Sequence, residues 1–271
     1  MHALGIVGRE ADDLLDRLLP ALDGRVGVVR TRERDRPAGD DRTDGGVARR
    51  RERERAATTY AIGDGWSAAG DELDLAGALD RLAPDHDYAV AVGFPDARLP
   101  QVVLGDADAR ETLLAADSAD AVDVDALIGR LEDTEPRETL ESLVAAVKRS
   151  PRADRAGAIA TFTGRVRAKD DPDDARTEFL EFEKYEGVAD ERTATIESEL
   201  TDREGVLDVR LHHRTGVVRD GEDIVFVVVL AGHRREAFRA VEDGIDRLKE
   251  EVPLFKKEVT AEETFWVHER E

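Results

Sequence analysis

The sequence predicts two domains, an α/β domain followed by an α+β domain, with a boundary near residue 133. Its 271 residues are enough for two domains of ordinary size. Residues 1–132 open with a strand, a helix and a second strand, which is how α/β domains begin. Residues 133–271 contain β-branched strands, tight turns and a long amphipathic helix, which indicates an antiparallel or mixed sheet.

In the N-terminal half, the first strand covers residues 4–8 and ends in a turn. The helix that follows carries leucines at helical spacing, and Gly24 ends it. Further strands are predicted at 26–29, 88–94 and 101–104, and further helices at 73–82 and 123–132. The acidic stretch of small residues around 105–122 predicts loops.

Residues 30–55 differ in composition from everything around them. They hold ten arginines and seven acidic residues and almost nothing apolar. Two interpretations are open: a loop that binds an anion, or a solvated, mobile loop without a ligand. Composition favours the second interpretation.

The C-terminal half is more regular. Strands are predicted at 157–163, 178–185, 206–214, 224–230, 255–259 and 264–268, and helices at 135–150, 190–200 and 234–251. The apolar residues of the last helix are three and four positions apart, which predicts one buried face: Phe238, Val241, Ile245, Leu248 and Val252. Pro253 then ends this helix.

The charge balance excludes several classes of partner. The chain has 62 acidic and 40 basic residues, a net charge of −22, so we expect neither nucleic acid nor an anionic membrane as a partner. Because salt screens self-repulsion, such a surface suits a high-salt cytoplasm and predicts a halophilic source. No apolar run approaches the roughly 18 residues that span a bilayer, and residues 1–10 lack a signal-peptide pattern. A cytoplasmic location is therefore predicted.

The chain contains no cysteine. This excludes disulfides, thiolate zinc sites, iron–sulfur clusters and cysteine nucleophiles. Neither a metal nor a resident cofactor is predicted. Any sulfur chemistry must use sulfur brought by another molecule.

The turn after the first strand lies where a phosphate-binding loop would be, between a strand and a helix. A working loop of that kind needs Gly-Lys-Ser/Thr, so that the lysine meets the phosphates and the hydroxyl meets magnesium. Here Glu10, Asp12 and Asp13 occupy the region. Because carboxylates repel phosphates, nucleotide hydrolysis is predicted to be absent from this half.

Four cationic residues of the C-terminal half flank predicted strands. Arg165 and Arg167 follow a strand and a glycine. His233 and Arg234 lie between a strand and the long helix, whose N-terminal amides also attract anions. Taken singly, the arginines are equally explained as exposed strand-end charges, and the histidine as a helix cap.

Two further cations lie around the end of the long helix. Lys249 falls in its last turns, and Lys256 follows Pro253, where reversal of the chain can bring the two together. A lysine near a helix C-terminus is also favoured by the helix dipole, and Lys256 and Lys257 can be read as a solvated pair. Jointly, these cations predict a compact pocket for an anionic substrate and a carboxyl-terminal partner.

Six stretches of the C-terminal half carry a resemblance to a known family. They are GAIATFTGRVR at 157–167, LEFEKYEG at 180–187, HRTG at 213–216, GEDIVF at 221–226, GHRREAF at 232–238 and LKEEVPLFKKE at 248–258. In order and spacing they resemble the catalytic (large) subunit family of molybdopterin synthase, over roughly residues 136–271. Two stretches depart from the family pattern: Lys184-Tyr185-Glu186-Gly187 stands where His-Tyr-Pro-Gly is usual, and Leu254-Phe255-Lys256 where Phe-Trp-Lys is usual.

The resemblance implies a sulfurtransferase. Two sulfurs would be added to cyclic pyranopterin monophosphate, giving the dithiolene of molybdopterin. The sulfur would arrive as a thiocarboxylate on the C-terminal Gly-Gly tail of a small ubiquitin-like sulfur carrier, which agrees with the absence of cysteine here. The family also implies a homodimer flanked by two carriers, a heterotetramer.

The resemblance also implies roles for particular residues. Lys249 and Lys256 would be catalytic. The substrate would be bound by Arg165, Val166, Arg167, His233, Arg234, Lys257 and Glu258.

The N-terminal half is similar to a second family in three stretches, Leu4–Gly8, Val26–Val29 and Asp87–Pro100. They resemble the adapter protein of molybdopterin-guanine dinucleotide biosynthesis, without its phosphate-binding loop. The resemblance implies that residues 1–132 form a degenerate nucleotide-binding-like module for binding or scaffolding in the same pathway. Two alternatives to the sulfurtransferase stay open: a non-catalytic adapter and a nucleotide-dependent enzyme.

Overall fold

The computed structural model describes residues 1–31, 57–169, 171, 173–185 and 187–260, together with the backbone of 264–267. The arginine-rich positions 32–55 and His268, for which predictions are made above, lie outside these residues. The chain divides into two compact units, Met1–Arg137 and Glu138–Glu271. The sequence places the boundary slightly earlier, between 132 and 133.

The N-terminal unit is built on a parallel sheet and a separate hairpin. Its strands are β1 (His2–Val7), β2 (Val26–Arg30), β3 (Thr58–Ile62), β4 (Trp66–Gly70), β5 (Tyr88–Val92), β6 (Gln101–Leu104) and β7 (Thr112–Ala116). Its helices are α1 (Ala11–Leu18), α2 (Leu75–Leu82) and α3 (Val124–Glu132). The parallel sheet has the order β2-β5-β1-β6-β7, and β3 and β4 form an antiparallel pair of their own.

Helices cover both faces of this sheet. Leu4 and Ile6 of β1 pack in one cluster with the leucines of α1, and Ala3 packs in another with Leu79 of α2. Because successive residues of a strand point to opposite faces, β1 is buried almost throughout. The predicted α/β class of this half is confirmed.

Three strands of the N-terminal unit are not predicted by the sequence. The prediction of loops around 105–122 is wrong, because this segment contains β7 and a 3-10 turn at Ala119–Ala121. The sequence of β7, TLLAA, has little β propensity of its own, and it becomes a strand by pairing with β6. The β3–β4 hairpin exposes its large apolar side chains, so it lacks the alternating pattern that identifies a half-buried strand.

The C-terminal unit combines two antiparallel sheets with three helices. Its strands are β8 (Ala158–Arg165), β9 (Thr177–Lys184), β10 (Val206–His213), β11 (Gly216–Arg219), β12 (Asp223–Ala231), β13 (Leu254–Thr260) and β14 (Thr264–Val267). Its helices are α4 (Leu140–Lys148), α5 (Val188–Thr201) and α6 (Arg234–Glu251). One sheet has the order β10-β12-β8 and the other β11-β9-β13-β14, so the predicted α+β class is confirmed.

The three-stranded sheet is covered on both faces, and β12 shows why. Val225, Val227 and Val229 belong to the cluster that contains α6 and α5. The intervening residues Phe226 and Val228, with Leu230, belong to the cluster that contains α4. The alternation of a strand therefore places α6 and α4 on opposite sides of the sheet.

The buried face of α6 differs from the predicted one at a single residue. Phe238 is 66% exposed, although it fits the apolar spacing. The buried face near it is made by Ala237, Ala240 and Gly244, and a Cβ at Gly244 would lie 3.1 Å from Cγ1 of Val227. Small residues let the helix approach the sheet closely, and this leaves the larger phenyl ring outside. Among the described residues, no helix is both long enough and apolar enough to cross a bilayer.

Candidate active site

A cavity of about 740 Å³ lies in the C-terminal unit, where the end of α6 meets strands of both sheets. Its charged lining consists of four cations and one carboxylate: Arg165, Arg167, Lys249, Lys256 and Glu258. Its apolar lining includes Phe162, Leu180, Phe182, Leu248 and Phe255. In a chain of net charge −22, this local excess of positive groups suits an anionic ligand.

Strand β13 decides which of three neighbouring charges face the cavity. Lys256 pairs with Phe182 and Glu258 with Leu180 of β9, and all four line the cavity. Lys257 points to the other face, where its ammonium lies 2.9 Å from a carboxylate oxygen of Glu181. Lys257 does not belong to the described lining of this cavity, and its predicted role in substrate binding stays a prediction.

Glu258 is held in place by a hydroxyl group. Thr177 Oγ1 donates a hydrogen bond to Glu258 Oε1 at 2.5 Å, and Thr177 is buried. The carboxylate therefore has a fixed position in the cavity wall. It is the one negative side chain in the described lining.

Lys249 reaches the cavity from the last turns of α6, as the sequence predicts. These turns are tied to α5 by ion pairs. Arg247 Nε donates to Glu251 at 2.7 Å, and Arg192 of α5 pairs with the same carboxylate. The hydrogen bond from Arg247 holds the pKa of Glu251 below its usual range, and the nearby charges of Arg247 and Arg192 act in the same direction.

The stretch after β8 contributes two cations and one packing residue. Arg165 and Arg167 line the cavity, and Nε of Arg165 lies 3.0 Å from Asp223. Val166 is only 2% exposed and packs with Leu180 in a separate apolar cluster. Val166 therefore supports the two arginines, and the structure does not place it as a contact for a ligand.

His233 and Arg234 lie at the opposite end of α6. His233 is the N-cap residue, and both side chains are exposed. Lys249 follows His233 by sixteen positions on one helix, which is about 24 Å along the axis. Within one chain, the structure does not bring these two residues to the cavity, so the compact pocket predicted from the sequence is incomplete in a single copy.

Comparison with known proteins places this geometry in a family. The family model described as "MoaE protein" matches residues 133–251. The probable molybdopterin synthase of Haloferax volcanii is 54% identical over 270 residues, which covers 100% of this chain and 100% of that protein. The chain belongs to the molybdopterin synthase family.

The molybdopterin synthase family is also represented by shorter relatives that match one half of the chain. The molybdopterin synthase catalytic subunit of Pyrococcus abyssi is 40% identical over 111 residues, 41% of this chain and 74% of that protein. The protein is thus a molybdopterin synthase family enzyme of molybdenum cofactor biosynthesis. The solved structure of MobB from Bacillus subtilis is 16% identical with a TM-score of 0.33, over 49% of this chain and all of that one, a likeness too distant to assign a role.

Three polar residues in the lining of the cavity are not identified as site residues by the sequence reasoning: Thr163, Thr177 and His213. His213 lies at the end of β10 and lines the cavity. Its position within the HRTG stretch that resembles the family, at the end of a predicted strand, was the available signal. Among the described residues, no cluster of three or more histidine, aspartate or glutamate side chains is placed to hold a metal.

Proposed function

We propose that the chain converts cyclic pyranopterin monophosphate to molybdopterin, with sulfur from the thiocarboxylated Gly-Gly tail of a small ubiquitin-like carrier. The observation that carries this proposal is the cavity of about 740 Å³ with four cations and one carboxylate in its described lining. Both the cyclic phosphate and the thiocarboxylate are anions, and both require fixed positive partners.

In this proposal, Lys256 and Lys249 act on the reacting end of the carrier tail. The thiocarboxylate sulfur forms a bond to a side-chain carbon of the pterin while the C–O bond of that carbon breaks, and the oxygen leaves as water or stays on the phosphate. Carrier and substrate are then linked through a thioester, and a second carrier supplies the second sulfur in the same way. Water then attacks the thioester carbonyl, and the C–S bond breaks. The carrier leaves as a carboxylate, and the sulfur stays on the pterin. Ammonium groups stabilise the oxyanion that forms during this attack.

The remaining cations bind the substrate. Arg165 and Arg167 present planar guanidinium groups, which match phosphate oxygens in pairs. Glu258, fixed by Thr177, offers an acceptor to a donor on the pterin. The support for this assignment is the common lining that these residues share with the two lysines.

The test is reconstitution with purified protein, thiocarboxylated carrier and cyclic pyranopterin monophosphate. Formation of molybdopterin is expected, and it requires both other components. Lys256→Ala should lower the rate by about a hundredfold or more, as the loss of one oxyanion donor does. Lys257→Ala is the matched control, because that lysine faces Glu181 on the other side of β13.

Two outcomes would contradict the proposal. The first is capture of the carrier by the wild-type protein without formation of product, which would favour the non-catalytic adapter. The second is a wild-type rate from Lys256→Ala.

We also propose that the enzyme is a homodimer that pairs through β8. This strand lies at the edge of its sheet, and its sequence AIATFTGR carries one charge, at its last residue. A long, uncharged edge strand invites pairing with another strand. The heterotetramer follows if each copy of the dimer holds one carrier.

Antiparallel pairing of β8 with a second copy completes the cavity. It sets the Ala158 end of one copy against the Arg165 end of the other. The amide of Gly157 donates to the carbonyl of Ala231 at 3.1 Å, so the Ala158 end lies beside the start of α6. A partner's helix start, with its histidine and arginine at positions 233 and 234, would then approach the cavity that holds Lys249 and Lys256.

For residues 1–132 we propose a binding or scaffolding module that does not hydrolyse nucleotides. Glu10, in the turn after β1, accepts a hydrogen bond at 2.8 Å from the amide of Ala119. A carboxylate thus sits where a phosphate-binding loop would present a lysine. Calorimetry with ATP and GTP should detect no binding, and measurable affinity would favour the nucleotide-dependent alternative.

The proposed setting is a high-salt cytoplasm. The support is the net charge of −22, which repels itself unless salt screens it. Thermal stability and activity should therefore rise with KCl from 0.1 M toward molar concentrations. A protein that is equally stable and active at low salt would contradict this proposal.

A further inference from the structure

An ammonium group and a carboxylate are neighbours on the cavity side of β13. Lys256 and Glu258 are two residues apart on this strand, and both line the cavity. Two residues of a strand span about 7 Å, and their side chains point to the same face. A lysine and a glutamate at this spacing are within reach of each other. An ion pair between them would cancel the positive charge that the lysine presents to an anion.

The structure keeps these two charges apart. In the part of the chain that the structure describes, Glu258 accepts a hydrogen bond from Thr177 and forms no ion pair with a cation of the cavity. Lys249 and Lys256 likewise have no carboxylate partner among the described residues. The chain has 62 acidic residues, yet these two ammonium groups are left for a ligand.

The hydroxyl group that holds Glu258 is itself fixed in position. Thr177 is the first residue of β9 and is 6% exposed, and its amide donates to the carbonyl of Ala168 at 2.9 Å. An ionised carboxylate only accepts hydrogen bonds, so the single hydroxyl proton of Thr177 points to Oε1 of Glu258, 2.5 Å away. Hydrogen bonds to a charged group are stronger than those between neutral groups. The buried hydroxyl therefore competes with the nearby ammonium for the carboxylate.

We propose that Thr177 is a positioning residue that keeps Glu258 away from Lys256. Its hydroxyl group acts through the carboxylate, and the charge of the lysine stays available to the terminal anion of the carrier tail. This inference rests on the proposed function, because it assumes that Lys256 receives that anion. It adds a reason why a cavity for anions can contain a carboxylate without neutralising itself.

The experiment removes the hydroxyl group and keeps the shape of the side chain. Thr177→Val releases the carboxylate, which can then pair with Lys256. The single-turnover rate of molybdopterin formation should fall about tenfold, as expected for the loss of a hydrogen bond to a charged group. The affinity for the unmodified carrier, whose tail ends in a carboxylate, should fall by a similar factor in calorimetry. Thr177→Ser restores the hydroxyl and should recover most of both losses.

A second substitution shows whether the effect passes through the carboxylate. Glu258→Gln cannot cancel the charge of Lys256, so in that background Thr177→Val should change the rate by less than about twofold. Glu181→Gln is the matched control, because it removes a carboxylate that pairs with Lys257 and does not line the cavity. In the Glu181→Gln background, the loss caused by Thr177→Val should persist in full.

Equal rates for the wild type and Thr177→Val would overturn the inference, as would a loss of the same size in the Glu258→Gln background. A Thr177→Ser variant no better than Thr177→Val would overturn it as well. If Thr177→Val does not fold, Thr177→Ala provides the same comparison, since it also lacks the hydroxyl group.

The affinity measurement separates this inference from the proposed function, because it needs no turnover. A wild-type protein that binds the carrier and forms no molybdopterin would overturn the proposed function, and the affinities of the Thr177 variants would still test the inference. A wild-type protein that forms molybdopterin, with unchanged rate and affinity in Thr177→Val, would overturn the inference alone.

Discussion

The two ends of α6 carry cations in very different surroundings. At the C-terminal end, Lys249 lines a cavity together with the other cations that a single chain brings to it. The last turns there are fastened to α5, because Arg247 and Arg192 both bind Glu251. The C-terminal end of α6 is therefore held in a fixed position beside the cavity.

The N-terminal end of α6 presents its residues to solvent. His233 makes no capping hydrogen bond through its side chain, and Phe238 one turn later is 66% exposed. An exposed aromatic ring beside exposed cations is typical of a surface that another molecule covers. The difference teaches that one helix can place its two ends in two different surroundings, which only the proposed dimer would bring together.

The largest effect is expected at the C-terminal end of α6. Lys249→Ala should lower the rate of molybdopterin formation by about a hundredfold, because it removes a fixed cation from a reaction between anions. The measurement is the single-turnover rate with thiocarboxylated carrier. A rate within twofold of the wild type would remove the C-terminal end of α6 from the proposed chemistry.

A smaller effect is expected at the exposed end, and it tests whether the two ends meet between copies. His233→Ala should raise the KM for the phosphate-bearing substrate by about tenfold, since a charge-assisted contact is lost.

Mixing His233→Ala with Lys249→Ala chains then becomes informative. With the substrate well below its KM, half of the dimers in a random mixture are mixed and each has one intact site of two, so activity should recover to about a quarter of the wild-type level. A mixture no more active than the sum of its parts would show that each chain uses its own two helix ends separately or not at all.

The ion pairs at the C-terminal end of α6 can be removed without changing a residue that lines the cavity. Arg247→Ala should lower the Tm at neutral pH by about 2 °C, as the loss of partly exposed ion pairs does. Because the pKa of Glu251 is lowered in the fold, mainly by its hydrogen bond from Arg247, the stabilisation is present above the usual carboxyl range. It is lost as the pH falls through the lowered pKa.

A Tm difference between Arg247→Ala and the wild type should therefore shrink in acid. Scanning calorimetry from pH 7 down to about pH 2, below the usual carboxyl range, measures it. A difference that is constant with pH would mean that Arg247 stabilises the helix through packing alone.

The smallest effect on stability is expected for a buried carboxylate of α5. Glu197 of α5 accepts the amide of Leu211 at 2.6 Å, and burial raises the pKa of Glu197, although the Leu211 hydrogen bond opposes this. A raised carboxyl pKa means that the charged form is penalised in the fold. This penalty is present at neutral pH and disappears as the pH falls through the raised pKa.

Glu197→Gln keeps an acceptor for Leu211 and removes the charge. It should raise the Tm by about 1 °C at pH 7, with the gain declining toward pH 5. The rate of molybdopterin formation should not change, because Glu197 does not line the cavity. A lower Tm at pH 7 would mean that the ionised carboxylate has a partner worth more than its burial costs.

The comparison also shows where sequence reasoning succeeds. Local spacing was sufficient for α6 and for Pro253, which ends it, because helical periodicity and the missing amide of proline are properties of consecutive residues. The same reasoning missed β7 and the β3–β4 hairpin, which exist through pairing with strands distant in the chain or with each other. Strand formation depends on partners, and a single segment does not name its partner.

By itself, the sequence determined the two fold classes, the family and the set of cations, because these follow from composition, periodicity and the order of short motifs. Only the tertiary structure decided which cations share a cavity: the register of β13 turned Lys256 in and Lys257 out, and a separation of sixteen positions along α6 kept His233 away from Lys249. The reason is physical, since a side chain's direction is set by the face of the strand or helix that carries it and by what packs against that face.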